Sequence, residues 1–230
     1  MNKKLIRFSS VHPYFPIPKP AKTHVPDWYK DASRFYGLDK PVIDNNGLIN
    51  RALKLCMPFL DSLTTGYIVE LCQDVQVTQN PFNAKWHTSP NVIHALDERV
   101  AHTIPVPPGH LNKSLVWWNH NLVRTPKGYS SLITHPFNRF DLPFTTLSGV
   151  VDTDGIQDPT GAIPFYIKED FEGIIPAGTP IYQIMPFKRD DWESKEDPTL
   201  AEEAKKEEII SKRITHGWYK RHSWKRKSFN

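Results

Sequence analysis

The chain has only 2 cysteines, Cys56 and Cys72, in 230 residues, and both lie in apolar surroundings. A disulfide framework and a cysteine-built zinc site are excluded, because no Cys-x-x-Cys spacing exists. Two buried thiols are expected, with one disulfide as the alternative. Glycine is also scarce, at 11 residues against 21 prolines. Proline inside a helix removes a hydrogen bond and clashes with the preceding turn, so a helical bundle is excluded. No apolar run is long enough to span a bilayer, so no membrane partner is expected. The start, Met1-Asn-Lys-Lys-Leu-Ile-Arg-Phe8, is basic but has no apolar core of signal-peptide length. A cytosolic protein is therefore expected. Ten histidines are present, yet His87, His94, His102, His110 and His120 show no His-x-His or His-x-x-x-His spacing. They are expected to be surface or hydrogen-bonded groups, with no metal site.

The remaining composition is that of an ordinary soluble protein, 39% hydrophobic and 23% charged. Aromatics reach 12%, which suits a β-rich core or a large interface. The length allows one good core plus arms. The formal net charge of +4 is unevenly placed, because residues 212–229 are strongly basic with aromatics interleaved.

Three segments are expected. Residues 1–45 carry Pro13, Pro16, Pro18, Pro20 and Pro26, and predict an extended, unpacked arm followed by a short helix over 26–35. Residues 46–192 alternate short apolar runs with Pro/Gly turns at intervals near ten residues, the pattern of a β-sandwich or barrel. Thr65–Cys72 reads as a buried strand and Asp74–Gln79 as an amphipathic one with Val75 and Val77 inward. Leu115–Val123, Tyr129–Thr134, Phe144–Ser148, Val150–Val151, Ile163–Ile167 and Pro180–Met185 continue the series. Residues 193–230 predict a helix and a basic arm. Asp197 supplies an N-cap, Pro198 the first helical position, and Leu200, Ala204, Ile210 and Ile214 a thin apolar stripe.

Four motifs in order resemble the trimeric dUTPase family and its β-clip relatives. They are Thr65-Gly-Tyr-Ile-Val-Glu-Leu71, Pro126-Lys-Gly-Tyr129, Gly149-Val-Val-Asp-Thr-Asp154 and Gly178-Thr-Pro-Ile-Tyr-Gln-Ile184. The resemblance covers roughly residues 60–187 and implies a β-clip barrel. The chain departs from the family where chemistry is concerned. The place of the aspartate that positions magnesium-bound triphosphate holds Ile68, with Glu70 two residues on. The phosphate-contacting serine of the second motif and the glycine-rich C-terminal motif are absent. Asp152 alone keeps the place of the water-activating carboxylate. One carboxylate can activate water only beside a substrate that other groups hold. The same stretches, with Cys56–Asp61 and Phe187–Trp192, are also similar to an uncharacterised protein family of tailed phages and some bacteria.

Six residues are candidate site groups. Asp152 is the candidate catalytic base, and Asp154, two positions on, could share a metal or proton with it. Alternatively, Asp152–Gly155 is a turn bonded to its own backbone. His135, Asn138 and Arg139, with Asp141 beside them, could line a ligand pocket, and in the dUTPase-like reading Gln183 or Arg139 contacts the ligand. The alternative is a loop tied by an Arg139–Asp141 or Arg139–Asp152 ion pair. The leading expectation is a non-catalytic interaction protein of a phage virion, with both arms binding neighbouring subunits in an oligomer and no cofactor. It would sit in the host cytoplasm or the virion. A nucleotide hydrolase needing magnesium is the runner-up, and nucleic-acid binding through the basic tail is third.

Overall fold

Short apolar runs pair as antiparallel strands throughout the middle of the chain. The structure, a computed structural model, describes residues 4–43, 45, 49–79, 82–86, 93–95, 103–155, 161–212 and 217–230, with the backbone alone at 82, 85, 86, 93–95 and 209–212. His87, His102, Arg213 and Ile214 lie outside the described residues. Two units form. The first holds Met1–His24, Thr65–Arg189 and Phe229–Asn230, and the second holds Val25–Thr64 and Asp190–Ser228.

The first unit is mainly β. Its largest sheet runs in the order β11 (Gly149–Val151), β9 (Tyr129–Thr134), β14 (Pro180–Lys188), β3 (Tyr67–Glu70) and β2 (Lys19–Pro20). A second runs β10 (Phe144–Thr146), β12 (Ala162–Lys168), β7 (His110–Trp118) and β6 (Ile93–Ala95). A third joins β13 (Gly173–Ile175), β4 (Val75–Gln79) and β5 (Phe82–Trp86), and β1 (Arg7–Ser10) pairs with β8 (Asn121–Arg124). The expected barrel is corrected here: the described strands form several antiparallel sheets, and none closes on itself.

The expected run from Leu115 to Val123 is two strands. The Asn119 side chain accepts the Asn121 N–H at 3.1 Å, a local bond that turns the chain between β7 and β8. The proline-rich arm also differs from expectation, because it packs. Phe15 is buried in the core and stacks on His120 at 3.9 Å, while β1 takes up the edge of β8. The arm is also not extended throughout, because Ala21–His24 form a 3-10 helix, and its phenylalanines supply anchors that a solvated arm lacks.

One core joins these sheets. Trp117, Phe144 and Phe165 are fully buried, with Trp117 and Phe165 stacked at 3.7 Å and Phe144 edge-on to Trp117 at 5.1 Å. A buried indole N–H needs an acceptor, and Thr146 Oγ1 provides it at 3.0 Å. That hydroxyl in turn donates to the Ile181 carbonyl at 2.7 Å, linking β7, β10 and β14. Val75 and Val77 are fully buried, as the alternation in β4 predicts. Gly66 has a φ of +76°, and a Cβ there would overlap the Ile184 carbonyl, so only glycine fits. Cys56 and Cys72 are free and half-buried rather than fully buried.

The second unit is helical and irregular. Helix α1 (Asp27–Asp31) and helix α2 (Met57–Thr64) meet through Tyr29 and Phe59, whose rings lie 5.7 Å apart. Pro58 stands in the first turn of α2, where a missing N–H costs nothing, and a 3-10 turn, Leu53–Leu55, precedes the helix. Helix α3 (Thr199–Lys212) begins as expected: Asp197 Oδ1 accepts the Thr199 N–H at 3.0 Å. The basic tail is held. Trp218 stacks on His222 at 3.7 Å, and Asp61 accepts from Trp224 Nε1 at 2.9 Å and Lys227 Nζ at 2.5 Å. No described helix is long and apolar enough to cross a membrane.

Replacing Thr146 by valine keeps the volume but leaves the Trp117 N–H and the Ile181 carbonyl unbonded. The expected loss is about 1–3 kcal/mol, read from the midpoint of a denaturant titration. An unchanged midpoint would show that these bonds do not hold the sheets together.

Candidate functional site

The Asp152–Asp154 turn is built by three remote segments. Strand β11 ends at Val151, and the Gly155 N–H closes the turn on the Asp152 carbonyl at 3.3 Å. A second turn, Thr125–Tyr129, lies against it, opened by Gly128 at φ +84°. The turns are stitched through Thr153, which is buried. Its carbonyl accepts the Thr125 N–H at 3.0 Å, and its hydroxyl meets those of Thr125 at 2.8 Å and Ser131 at 2.9 Å. Arg124 Nη1 also donates to the Asp154 carbonyl at 3.0 Å.

The third segment brings a cation. Pairing of β14 with β9 sets Lys188 opposite Tyr129, so Arg189 emerges beside Gly128 and donates its N–H to the Gly128 carbonyl at 2.9 Å. Its guanidinium forks onto Asp154, Nη1 to Oδ1 at 3.0 Å and Nη2 to Oδ2 at 2.5 Å. Nη1 also reaches Asp152 Oδ1 at 3.1 Å. Asp152 accepts the Ser130 hydroxyl at 2.6 Å, and Asp154 accepts the Gly128 N–H at 2.7 Å.

These contacts set the charge. The bonds from Arg189 and then from the Gly128 N–H hold Asp154 at about 2, against an ordinary 3.8. Asp152 is lowered too, first by the Ser130 hydroxyl and further by Arg189, against the opposing Asp154 charge. Arg189 is raised by its bond to Asp154. The pair exists as two carboxylates around one guanidinium.

The other candidates form a second group. Gln183 is buried and clamps two backbones: Oε1 accepts the Phe137 N–H at 2.9 Å and Nε2 donates to the Thr65 carbonyl at 2.5 Å. His135 Nε2 donates to the Arg139 carbonyl at 3.0 Å, while Nδ1 accepts the Thr146 N–H at 3.3 Å. Accepting at Nδ1 requires the neutral ring, and burial lowers the His135 pKa. Arg139 grips Asp141 through two parallel bonds, Nε to Oδ1 at 2.9 Å and Nη2 to Oδ2 at 2.8 Å. Asn138 turns the loop at φ +59°, a conformation asparagine tolerates.

The two groups do not converge. Ser130 is the second residue of β9, with Asp152 beside it, and His135 follows the end of the same strand. At about 3.3 Å per residue they lie roughly 16 Å apart. Gln183 sits opposite Thr134, at the His135 end. Glu70, two residues beyond the motif position held by Ile68, is engaged by Lys19 and His24, each at 2.7 Å. Burial pushes its pKa up, but these bonds and charges outweigh that and leave it lowered. Among the described residues, no group of three His, Cys, Asp or Glu could hold a metal ion. A groove of about 470 Å³ lies in the second unit against Trp28, Tyr36 and Leu53, and no candidate residue lines it.

Arg189, Ser130 and the Gly128 N–H are the parts that residue reasoning missed. Phe187-Lys-Arg-Asp-Asp-Trp192 is visible as a charged stretch, but only the β14–β9 register shows which arginine meets the aspartates. The fold and site together define a β-rich protein whose polar residues tie strands and turns. No known protein family matches the chain, and no curated protein is significantly similar to it.

Because the Asp154 pKa falls on folding, its contribution is complete above the ordinary value of 3.8 and is lost as the pH drops toward about 2. A carboxyl NMR titration is expected to give a midpoint near 2 for Asp154, and a higher one in Arg189→Gln. A midpoint unmoved by that change would place the cause elsewhere.

Proposed function

We propose that this chain is a non-catalytic interaction and assembly protein, and that it works as a component of a bacteriophage virion. The observation that carries the first part is the state of the Asp152–Asp154 turn. A general base works best with a pKa near the operating pH. Asp154 is held at about 2 by Arg189, and Asp152 is lowered by Ser130 and Arg189. A divalent cation entering there would have to displace a guanidinium already bonded to both carboxylates.

Exposed apolar groups support contact with other proteins. Trp192, Tyr36 and Phe140 are 89%, 82% and 79% exposed, and large aromatics are enriched in interfaces. Strand β11 forms a sheet edge of Gly149, Val150 and Val151, with no charge or proline within it to block pairing. The virion assignment goes beyond the sequence resemblance to an uncharacterised family of tailed phages and some bacteria, because that resemblance carries no function with it.

The nucleotide reading retains one favourable observation. Asp152 has a side chain 71% exposed and stands at the place of the family's water-activating carboxylate. Incubation with magnesium and each deoxynucleoside triphosphate is expected to release no pyrophosphate above the protein-free rate. Release that disappears in Asp152→Asn would establish the enzyme. Mass spectrometry of particles purified from cells encoding the chain is expected to find it, and its absence from them would defeat the virion assignment.

A further inference from the structure

Residues 190–203 carry seven acidic side chains against one lysine. Every residue from Asp190 to Glu208 is exposed, and Trp192 stands in the middle of the acids at 89% exposure. Helix α3 buries none of its residues from Thr199 to Glu208. Isolated helices of this length are marginal in water, so tertiary packing normally supplies their stability.

The basic strap of residues 217–230 is the opposite in charge, with five Lys or Arg and no acid. Its residues up to Ser228 belong to the second unit, where Asp61 takes Trp224 and Lys227. Lys220, Arg221, Lys225 and Arg226 remain exposed. Anchoring two side chains presents the others in a set pattern, which reduces the ordering cost of binding.

We propose that the acidic arm around Trp192 of one copy docks on the basic strap of a second copy. This rests on the assembly reading above and names its partner. Charge complementarity selects the occupant: an acidic arm and a basic strap on the same chain pair reciprocally when two copies meet. Trp192 adds a ring face for a lysine or arginine of the strap. Nucleic acid fits less well. Trp218 stacks on His222 and Trp224 is bonded to Asp61, so Tyr219 is the large ring of residues 217–228 left exposed for a base to stack on. The seven acids of the same unit also repel a polyanion.

Charge exchange tests this with the full-length protein. One variant carries Lys220→Glu, Arg221→Glu, Lys225→Glu and Arg226→Glu. The other carries Asp191→Lys, Glu193→Lys and Glu196→Lys. In sedimentation velocity at low salt the unaltered protein is expected at twice the mass of one chain or more. It should fall to monomer at about 1 M salt, where screening acts within about 3 Å. Each variant alone is expected to be monomeric, and their equimolar mixture to regain the associated mass. An unaltered protein that is monomeric at low salt, or a mixture that stays monomeric, overturns the proposal. So does tight binding of a labelled DNA oligonucleotide by a monomeric chain, lost in the strap variant. Monomeric protein that is still found in particles overturns the pairing of copies and leaves the assembly reading standing.

Discussion

One guanidinium holds together parts of the chain that the sequence places far apart. Arg189, just past β14, bonds Asp154 through two nitrogens, reaches Asp152, and ties its own backbone to Gly128. The 124–130 turn and the 152–155 turn close against each other around this contact, with the Thr153 hydroxyl beneath them. An arginine that meets a carboxylate with two parallel bonds is specific in direction as well as charge. It therefore fixes the ends of β9, β11 and β14 relative to one another. It also lowers the pKa of both carboxylates, Asp154 to about 2, so that both are ionised at neutral pH.

Much of the β architecture is legible in the residues. Val75 and Val77 announce their inward face by alternation, and Asp197 announces the start of a helix by its place before Pro198 and Thr199. These signals are local. Three others depend on tertiary context. Pro58 looks like a breaker in an apolar run, yet it occupies a helix's first turn, where it is tolerated. The break between β7 and β8 rests on an asparagine side chain bonding two residues ahead. The arm around Phe15 looks solvated by composition and packs because its aromatic side chains find the core.

The candidate site was legible as a list of polar residues and not as a place. Asp152 and Asp154 stand in a turn, as their spacing allows, but their partner is Arg189 and not Arg139. Arg139 is taken by its neighbour Asp141, and Gln183 is taken by two backbone groups. A strand register formed over more than fifty residues brings Arg189 to the turn, and no local pattern encodes it. These polar side chains satisfy one another and the backbone, while residues 190–208 and Lys220, Arg221, Lys225 and Arg226 are exposed.

The most direct measurement of the central claim is a double-mutant cycle on Arg189 and Asp154, read by denaturant unfolding at pH 7. Arg189→Gln and Asp154→Asn are each expected to destabilise the fold, and together to cost clearly less than the sum of the two. Strictly additive losses, or two singles with no loss at all, would mean that the guanidinium does not hold these turns and would reopen Asp152 and Asp154 to another role.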